Sequence, residues 1–168
     1  MPRTKNAKNF PSSIGPDYSA FRSRLVEQLA NSLTATFPEA TERRVFRRIA
    51  FPGKATAVVG MRRAGKTTFL HQVRRKLIDQ GIPRERLPYI NFEDERLAGL
   101  TANELSILIE EYYRRFPGLR GKETVAWCFD EIQNVLGWER FVRRLLDSEK
   151  VDIYLSGSSA ALLSREIA

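Results

Sequence analysis

The sequence predicts an α/β domain built on a mostly parallel sheet. Three observations carry this expectation. Four short apolar runs, at 55–59, 87–92, 125–129 and 151–155, alternate with segments whose apolar residues recur at helical spacing. The third run, Val125-Ala-Trp-Cys-Phe129, is apolar without alternation, which marks a strand buried on both faces of a parallel sheet. The first run leads into Gly60-Met-Arg-Arg-Ala-Gly65-Lys66-Thr67-Thr68. That stretch fits the phosphate-loop (P-loop) pattern of Gly, four residues, then Gly-Lys-Ser/Thr, which sits between a strand and a helix.

The elements follow in order. Residues 1–17 hold Lys, Asn, Pro, Ser and Gly with few apolar side chains, and read as a disordered basic tail. Residues 18–50 read as an N-terminal helical segment. Phe21, Leu25, Val26, Leu29 and Leu33 set a helix from about Tyr18 to Thr34, and Pro38 breaks it. A second short helix is expected from Thr41 to Arg48, with Arg43, Arg44, Arg47 and Arg48 clustered along it. The core then occupies 51–168. Phe51-Pro-Gly53 turns the chain into the strand Ala55–Val59. The helix after the loop runs from Lys66 to Gln80, with Phe69, Leu70, Val73 and Leu77 inward and Gly81 as its stop.

A strand over Leu87–Phe92 follows and ends in Glu93-Asp94-Glu95, an acidic turn with no evident role. Thr101 with Glu104 forms a capping box, and Leu100 with Leu105 a hydrophobic staple, so a helix opens there. Its inner face is Leu105, Leu108, Ile109, Tyr112 and Phe116. After the buried strand, Gly137 precedes an amphipathic helix bearing Trp138, Phe141, Val142 and Leu145. Val151–Leu155 makes the fourth strand, ending in Ser156-Gly-Ser-Ser159, and Ala160–Ile167 starts another helix.

The loop's residue types follow from its chemistry. Gly60 and Gly65 let the backbone turn tightly and approach a phosphate with no Cβ in the way. The backbone N–H groups of Arg62, Arg63, Ala64, Gly65, Lys66, Thr67 and Thr68 can then converge on an anion. Lys66 supplies a cation for the β/γ-phosphates, and the Thr67 hydroxyl can join the shell of Mg²⁺. Arg62 and Arg63 are expected to project outward. A P-loop alone binds phosphate, whereas hydrolysis also needs a held metal and a positioned water. Asp130-Glu131 ends the buried strand at the edge where ligands bind in open parallel sheets. Asp130 is the candidate metal holder, and Glu131 the candidate for orienting or deprotonating water. Ser158, just past the fourth strand, is the candidate hydroxyl for the γ-phosphate; capping the final helix is an equal alternative.

Composition narrows the class. Hydrophobic residues make up 42% and charged residues 29% of the 168, as in an ordinary soluble domain. No apolar run approaches the ~20 residues of a membrane span. The single cysteine, Cys128, excludes an internal disulfide and a cysteine-based zinc site, so a reducing cytoplasm is the simplest setting. Most of the net +8 lies in residues 1–54, with ten Lys/Arg against four Asp/Glu. That segment can make weak, sequence-independent nucleic-acid contacts, or be a solvated face.

Arg62-Arg-Ala-Gly-Lys-Thr-Thr68, Ile90-Asn-Phe-Glu-Asp-Glu-Arg-Leu97, Phe129-Asp-Glu-Ile-Gln-Asn134 followed by Gly137-Trp-Glu139, and Gly157-Ser-Ser159 occur in this order. The set resembles the prokaryotic AAA-type ATPases whose core is often joined to a C-terminal domain of unknown function. The resemblance covers about residues 43–168. It implies a three-layer P-loop core of the additional-strand type, with the Ser156–Ser159 strand inserted between the P-loop strand and the Asp130 strand. It also implies that Lys66 and Thr67 are the phosphate and Mg²⁺ residues, Asp130-Glu131 the Walker B pair and Ser158 the polar sensor. The expectation is an ATP-binding, Mg²⁺-dependent ATPase, slow in this chain because the family's core continues further. A homo-oligomer or a protein partner is expected with it. A P-loop kinase, and a nucleotide-binding or nucleic-acid-docking fragment with little turnover, are the alternatives. No Asn-Lys-x-Asp guanine-reading motif is present, which favours ATP.

Overall fold

The computed structural model describes residues 16–38 and 54–158. The tail through residue 15, the arginine-bearing helix at 41–48, the turn at 51–53, Ser159 and the helix at 160–167 lie outside the described residues. The elements are α1 (Pro16–Thr34), β1 (Thr56–Val59), α2 (Lys66–Asp79), β2 (Tyr89–Asn91), α3 (Ala102–Arg115), β3 (Val125–Asp130), α4 (Trp138–Ser148) and β4 (Val151–Gly157). Short 3₁₀ turns at Arg84–Arg86, Glu95–Leu97 and Ile132–Asn134 join them.

The four strands form one sheet in the order β1-β4-β3-β2, and every pairing is parallel. The strand carrying the P-loop is therefore separated from the strand carrying Asp130 by β4, as the additional-strand arrangement requires. β3 is buried at all six positions, which is why its sequence shows no alternation. Its residues still divide by period two. Val125, Trp127 and Phe129 join a large cluster with α1, α3 and α4, whereas Ala126 and Cys128 meet Leu70 and Val73 of α2 on the other face. Helix layers on both sides of the sheet make three layers. In the large cluster Trp127 packs on Tyr112 and Phe129 at centroid separations of 4.9 and 5.4 Å. Each such aromatic pair adds about 0.5–1.5 kcal/mol beyond area burial. Burial in the opposite layer pushes the Cys128 thiol up to about 12, so it stays protonated as a small core residue.

The α3 entry forms as its sequence dictates. Thr101 Oγ1 accepts from Asn103 N, and the Glu104 carboxylate accepts from Thr101 N at 2.8 Å. Leu100 and Leu105 are both buried in the large cluster. The β2 strand is shorter than its sequence suggests, because Arg84–Arg86 forms a 3₁₀ turn capped by Leu87, and Pro88 contributes only its carbonyl, which accepts from Cys128 N at 3.0 Å.

Helix α1 is bound to this core. Leu25 and Leu29, four residues apart, are buried in the large cluster. Gln28 reaches β2 from the side: its Oε1 accepts from Asn91 N at 2.9 Å and its Nε2 donates to Asn91 O at 3.0 Å. One side chain thus satisfies both backbone groups that Asn91 turns to the open edge of the sheet. Arg24 forms an ion pair with Asp94, which also caps the turn at Glu95–Leu97. Part of the acidic turn after β2 is therefore structural. At the other end of α1, Arg74 donates to Ser32 O, and Arg84 donates to Ala35 O at 2.6 Å. Two guanidinium groups meet carbonyls that the helix leaves without intrahelical partners.

Candidate nucleotide site

The P-loop leaves β1 and turns into α2. Gly65 sits at the helix N-cap in the left-handed region, φ 81°. A Cβ on Gly60 would come within 3.3 Å of the Ala64 Cβ, so a side chain there would need the loop to give by a few tenths of an ångström. No side chain caps the start of α2, and no acidic residue lies in its first turn. Those first-turn N–H groups have no intrahelical acceptor and face an anion-attracting helix end. Lys66 is 6% exposed and folds back over its own loop. Its Nζ donates to Gly60 O at 3.2 Å and to Met61 O at 3.1 Å.

The loop opens on a cavity of about 780 Å³ lined by Arg62, Arg63, Gly65, Lys66, Thr67, Thr68, Glu93 and Glu131. Arg62 and Arg63 are both exposed, and both also line this cavity. Arg62 pairs with Glu93 across it at 3.1 Å, although both side chains are well exposed, so the pair contributes little energy. Glu93 is thus the one member of the acidic turn that faces the cavity. Two residues other than glycine have positive φ among the described ones, Arg63 at 61° and Glu131 at 53°. Both line this cavity, and local strain of this kind gathers at functional sites.

Glu131 lies opposite the loop. Its Oε1 is 3.0 Å from Lys66 Nζ, and its Oε2 accepts from Gln133 Nε2 at 2.6 Å. Gln133 Oε1 is buried with no hydrogen-bond partner among the described residues, an acceptor suited to a water. The backbone N–H of Glu131 donates to Ser156 Oγ at 3.0 Å.

Asp130 is fully buried behind the cavity wall. Ser156 donates to its Oδ1, and the Tyr89 phenol donates to its Oδ2 at 2.7 Å. The register explains this. Cys128 pairs with both Tyr89 and Tyr154, so Tyr89, Asp130 and Ser156 project from one face of the sheet. Burial first, then the neighbouring Asp130 charge, pushes the Tyr89 phenol far above its ordinary value, so it acts as a donor. Behind it, His71 lies 4.7 Å from the Tyr89 ring, and Arg74 lies 5.4 Å above that ring. Burial, then the Arg74 cation, holds His71 below its usual value. Ser158 is half-buried, one residue beyond β4, while Ser156 makes the contacts to the acidic pair. Ser156, Tyr89 and Gln133 were not among the sequence candidates. Period-two counting back from Asp130 along β3 gives the face, but only the register between strands shows which hydroxyls share it.

The donor types suit a nucleotide with a hard cation. The loop amides, Lys66 and the two arginines match phosphate oxygens. The Thr67 hydroxyl and the Asp130 carboxylate are the oxygen ligands that Mg²⁺ takes. Among the described residues no group of three or more His, Cys, Asp or Glu is placed to hold a metal alone. An ion here would therefore draw most of its ligands from phosphate and water, as Mg²⁺ in such sites does.

An all-parallel sheet with a P-loop on one strand, an acidic pair on another and an inserted strand between them defines a P-loop nucleotide-binding domain. A family profile described as an AAA domain matches residues 52–168, and the chain belongs to that family. It is an AAA-type, ATPase-like nucleotide-binding domain. The chain is 44% identical to an uncharacterized protein of Methanocaldococcus jannaschii over 117 residues, which is 70% of this chain and 24% of that protein. It is 38% identical to an uncharacterized protein of Haemophilus influenzae over 112 residues, 66% of this chain and 27% of the relative. The aligned part thus spans about a quarter of the length of these relatives. No solved structure matches. No helix among the described residues is long and apolar enough to cross a membrane.

Proposed function

We propose that this chain binds ATP with Mg²⁺ and hydrolyses it, using nucleotide state to drive a conformational or assembly change. The observation that carries this reading is the meeting of Lys66 and Glu131, 3.0 Å apart, in one cavity. A cation for the terminal phosphates and a carboxylate for the attacking water belong within one phosphoryl group of each other. Gly60, Ala64, Gly65 and Thr68 form the cradle with Lys66, and Arg62 and Arg63 line its mouth. Thr67 and Asp130 would hold Mg²⁺, which neutralises charge on the β- and γ-phosphates when bound.

Glu131 orients the water and takes its proton, and Gln133 keeps that carboxylate in place. Ser158, past the end of β4, remains the candidate hydroxyl for the γ-phosphate. Resting turnover is slow in this reading, on the order of one per minute or less, because the charge developing on the γ-phosphate awaits a cation supplied by a partner. The basic N-terminal segment adds at most weak, salt-sensitive contact with nucleic acid, and a homo-oligomer or protein partner would receive the nucleotide-driven change.

The test is calorimetry with MgATP, MgGTP and metal-free ATP, followed by steady-state phosphate release. Tight MgATP binding with slow phosphate release is the expected result. Labelling of a small acceptor without free phosphate would instead identify a kinase. Absence of nucleotide binding would refute the reading.

A further inference from the structure

We propose that Tyr89 is a positioning residue of this site, holding the Asp130 carboxylate in the orientation that a metal's water shell requires. The proposal rests on the nucleotide reading above and extends it to a residue outside the P-loop and the acidic pair. Asp130 is fully buried, and its two oxygens are gripped from two neighbouring strands, by Ser156 of β4 and Tyr89 of β2. Two donors on different oxygens fix the carboxylate's rotation, which a single donor would leave free to swing. Each oxygen keeps a second lone pair, so the grip still leaves acceptors for metal-bound water.

Tyr89 is itself held. Its ring packs on His71 at 4.7 Å and under Arg74, which is 2% exposed. Arg74 donates to Leu87 O at 3.0 Å and to Ser32 O at the end of α1. The orientation of Asp130 is therefore tied, through Tyr89 and Arg74, to the seating of the N-terminal helix. An outer partner of this kind governs metal affinity by about 10–100-fold when removed.

The experiment compares the parent chain with Tyr89→Phe and Asp130→Ala. Phenylalanine keeps the ring on His71 and Arg74 and removes only the hydroxyl. Three quantities are read: affinity for a fluorescent ATP analogue without metal, the Mg²⁺ midpoint for strengthening that affinity, and the electron paramagnetic resonance line shape of Mn²⁺ bound with ATP. Thermal melting checks that each variant is folded. In Tyr89→Phe the Mg²⁺ midpoint should rise about tenfold and the Mn²⁺ spectrum should broaden, while metal-free binding stays within about twofold of the parent. A Mg²⁺ midpoint and a Mn²⁺ spectrum equal to the parent's, in a folded variant, would overturn the proposal. So would an equal loss of metal-free binding, since that would mean a general disturbance of the cradle. If Asp130→Ala alters metal dependence and Tyr89→Phe does not, only the Tyr89 role fails. If Asp130→Ala also leaves metal dependence unchanged, the metal reading falls and takes this proposal with it.

Discussion

Replacing Glu131 by glutamine should tighten nucleotide binding while abolishing turnover. Lys66 Nζ and Glu131 Oε1 are 3.0 Å apart, with side chains only 6% and 16% exposed. A phosphate that recruits Lys66 must first compete with that carboxylate. Two unit charges about 4 Å apart attract by ~4 kcal/mol at an effective dielectric constant of about 20. Desolvation and the adjoining open cavity offset much of this, so a net contribution near the low end for charge-assisted bonds, about 1–2 kcal/mol, is the reasonable figure. Glutamine keeps the shape, removes the competing charge and removes a repulsion toward the γ-phosphate. The dissociation constant for MgATP should fall by about 5–30-fold. Phosphate release should fall by about 10²–10⁴-fold, the usual contribution of a general base. Titration calorimetry at fixed Mg²⁺ and salt reads the first quantity, and single-turnover phosphate release reads the second. Weaker binding in Glu131→Gln, or release at the parent rate, would refute the idea that this pair opens when nucleotide enters.

Lys66→Ala should weaken MgATP binding tenfold or more, roughly 1.4 kcal/mol at least, measured by the same calorimetry on a folded variant. Thr101→Ala removes the cap of α3 and half of its capping box; a loss of about 1 kcal/mol is expected, read as a lower midpoint in chemical denaturation with an unchanged slope. His71 gives a pH dependence. Its folded value lies below the ordinary 6.5 because of burial and the Arg74 cation. The unfolded chain therefore takes up the proton first, and the associated stability is present above about pH 6.5 and lost as pH falls below it. Melting temperatures at pH 7.5 and 5.5 should differ less in His71→Gln than in the parent; an equal difference would assign the acid sensitivity elsewhere.

Much of the fold was legible because the signals were local. The capping box at Thr101–Glu104, the unbroken apolar run of β3 and the helical spacing after Lys66 each need only a few consecutive residues to read. The P-loop was legible for the same reason, since its glycines, lysine and threonine occupy a fixed spacing. What was not legible depends on strand register and on long side chains that cross between elements. Ser158, just past the fourth strand, is a reading toward the γ-phosphate; that the hydroxyl on Asp130 belongs to Ser156 depends on a face set by β3 and β4 together. Tyr89 reads as a strand aromatic until β2 is placed beside Asp130. Gln28 reads as a polar position on an amphipathic helix until α1 is laid along β2. The left-handed backbone at Glu131 has no marker at all, since glutamate is not a residue that announces positive φ.

The contact of Gln28 with both backbone groups of Asn91 bears on how molecules of this protein meet at high concentration. An unprotected strand at a sheet's margin is a template on which foreign chains can grow, and short or covered margins prevent this. Here the template at β2 is occupied by an amide that copies a strand's donor and acceptor but cannot be extended. Growth of a shared sheet from that side would require α1 to lift first, withdrawing Leu25 and Leu29 from the core. The helix thus acts as an end-stop against polymerisation, and trimming it would be felt as poor solubility as well as lower stability.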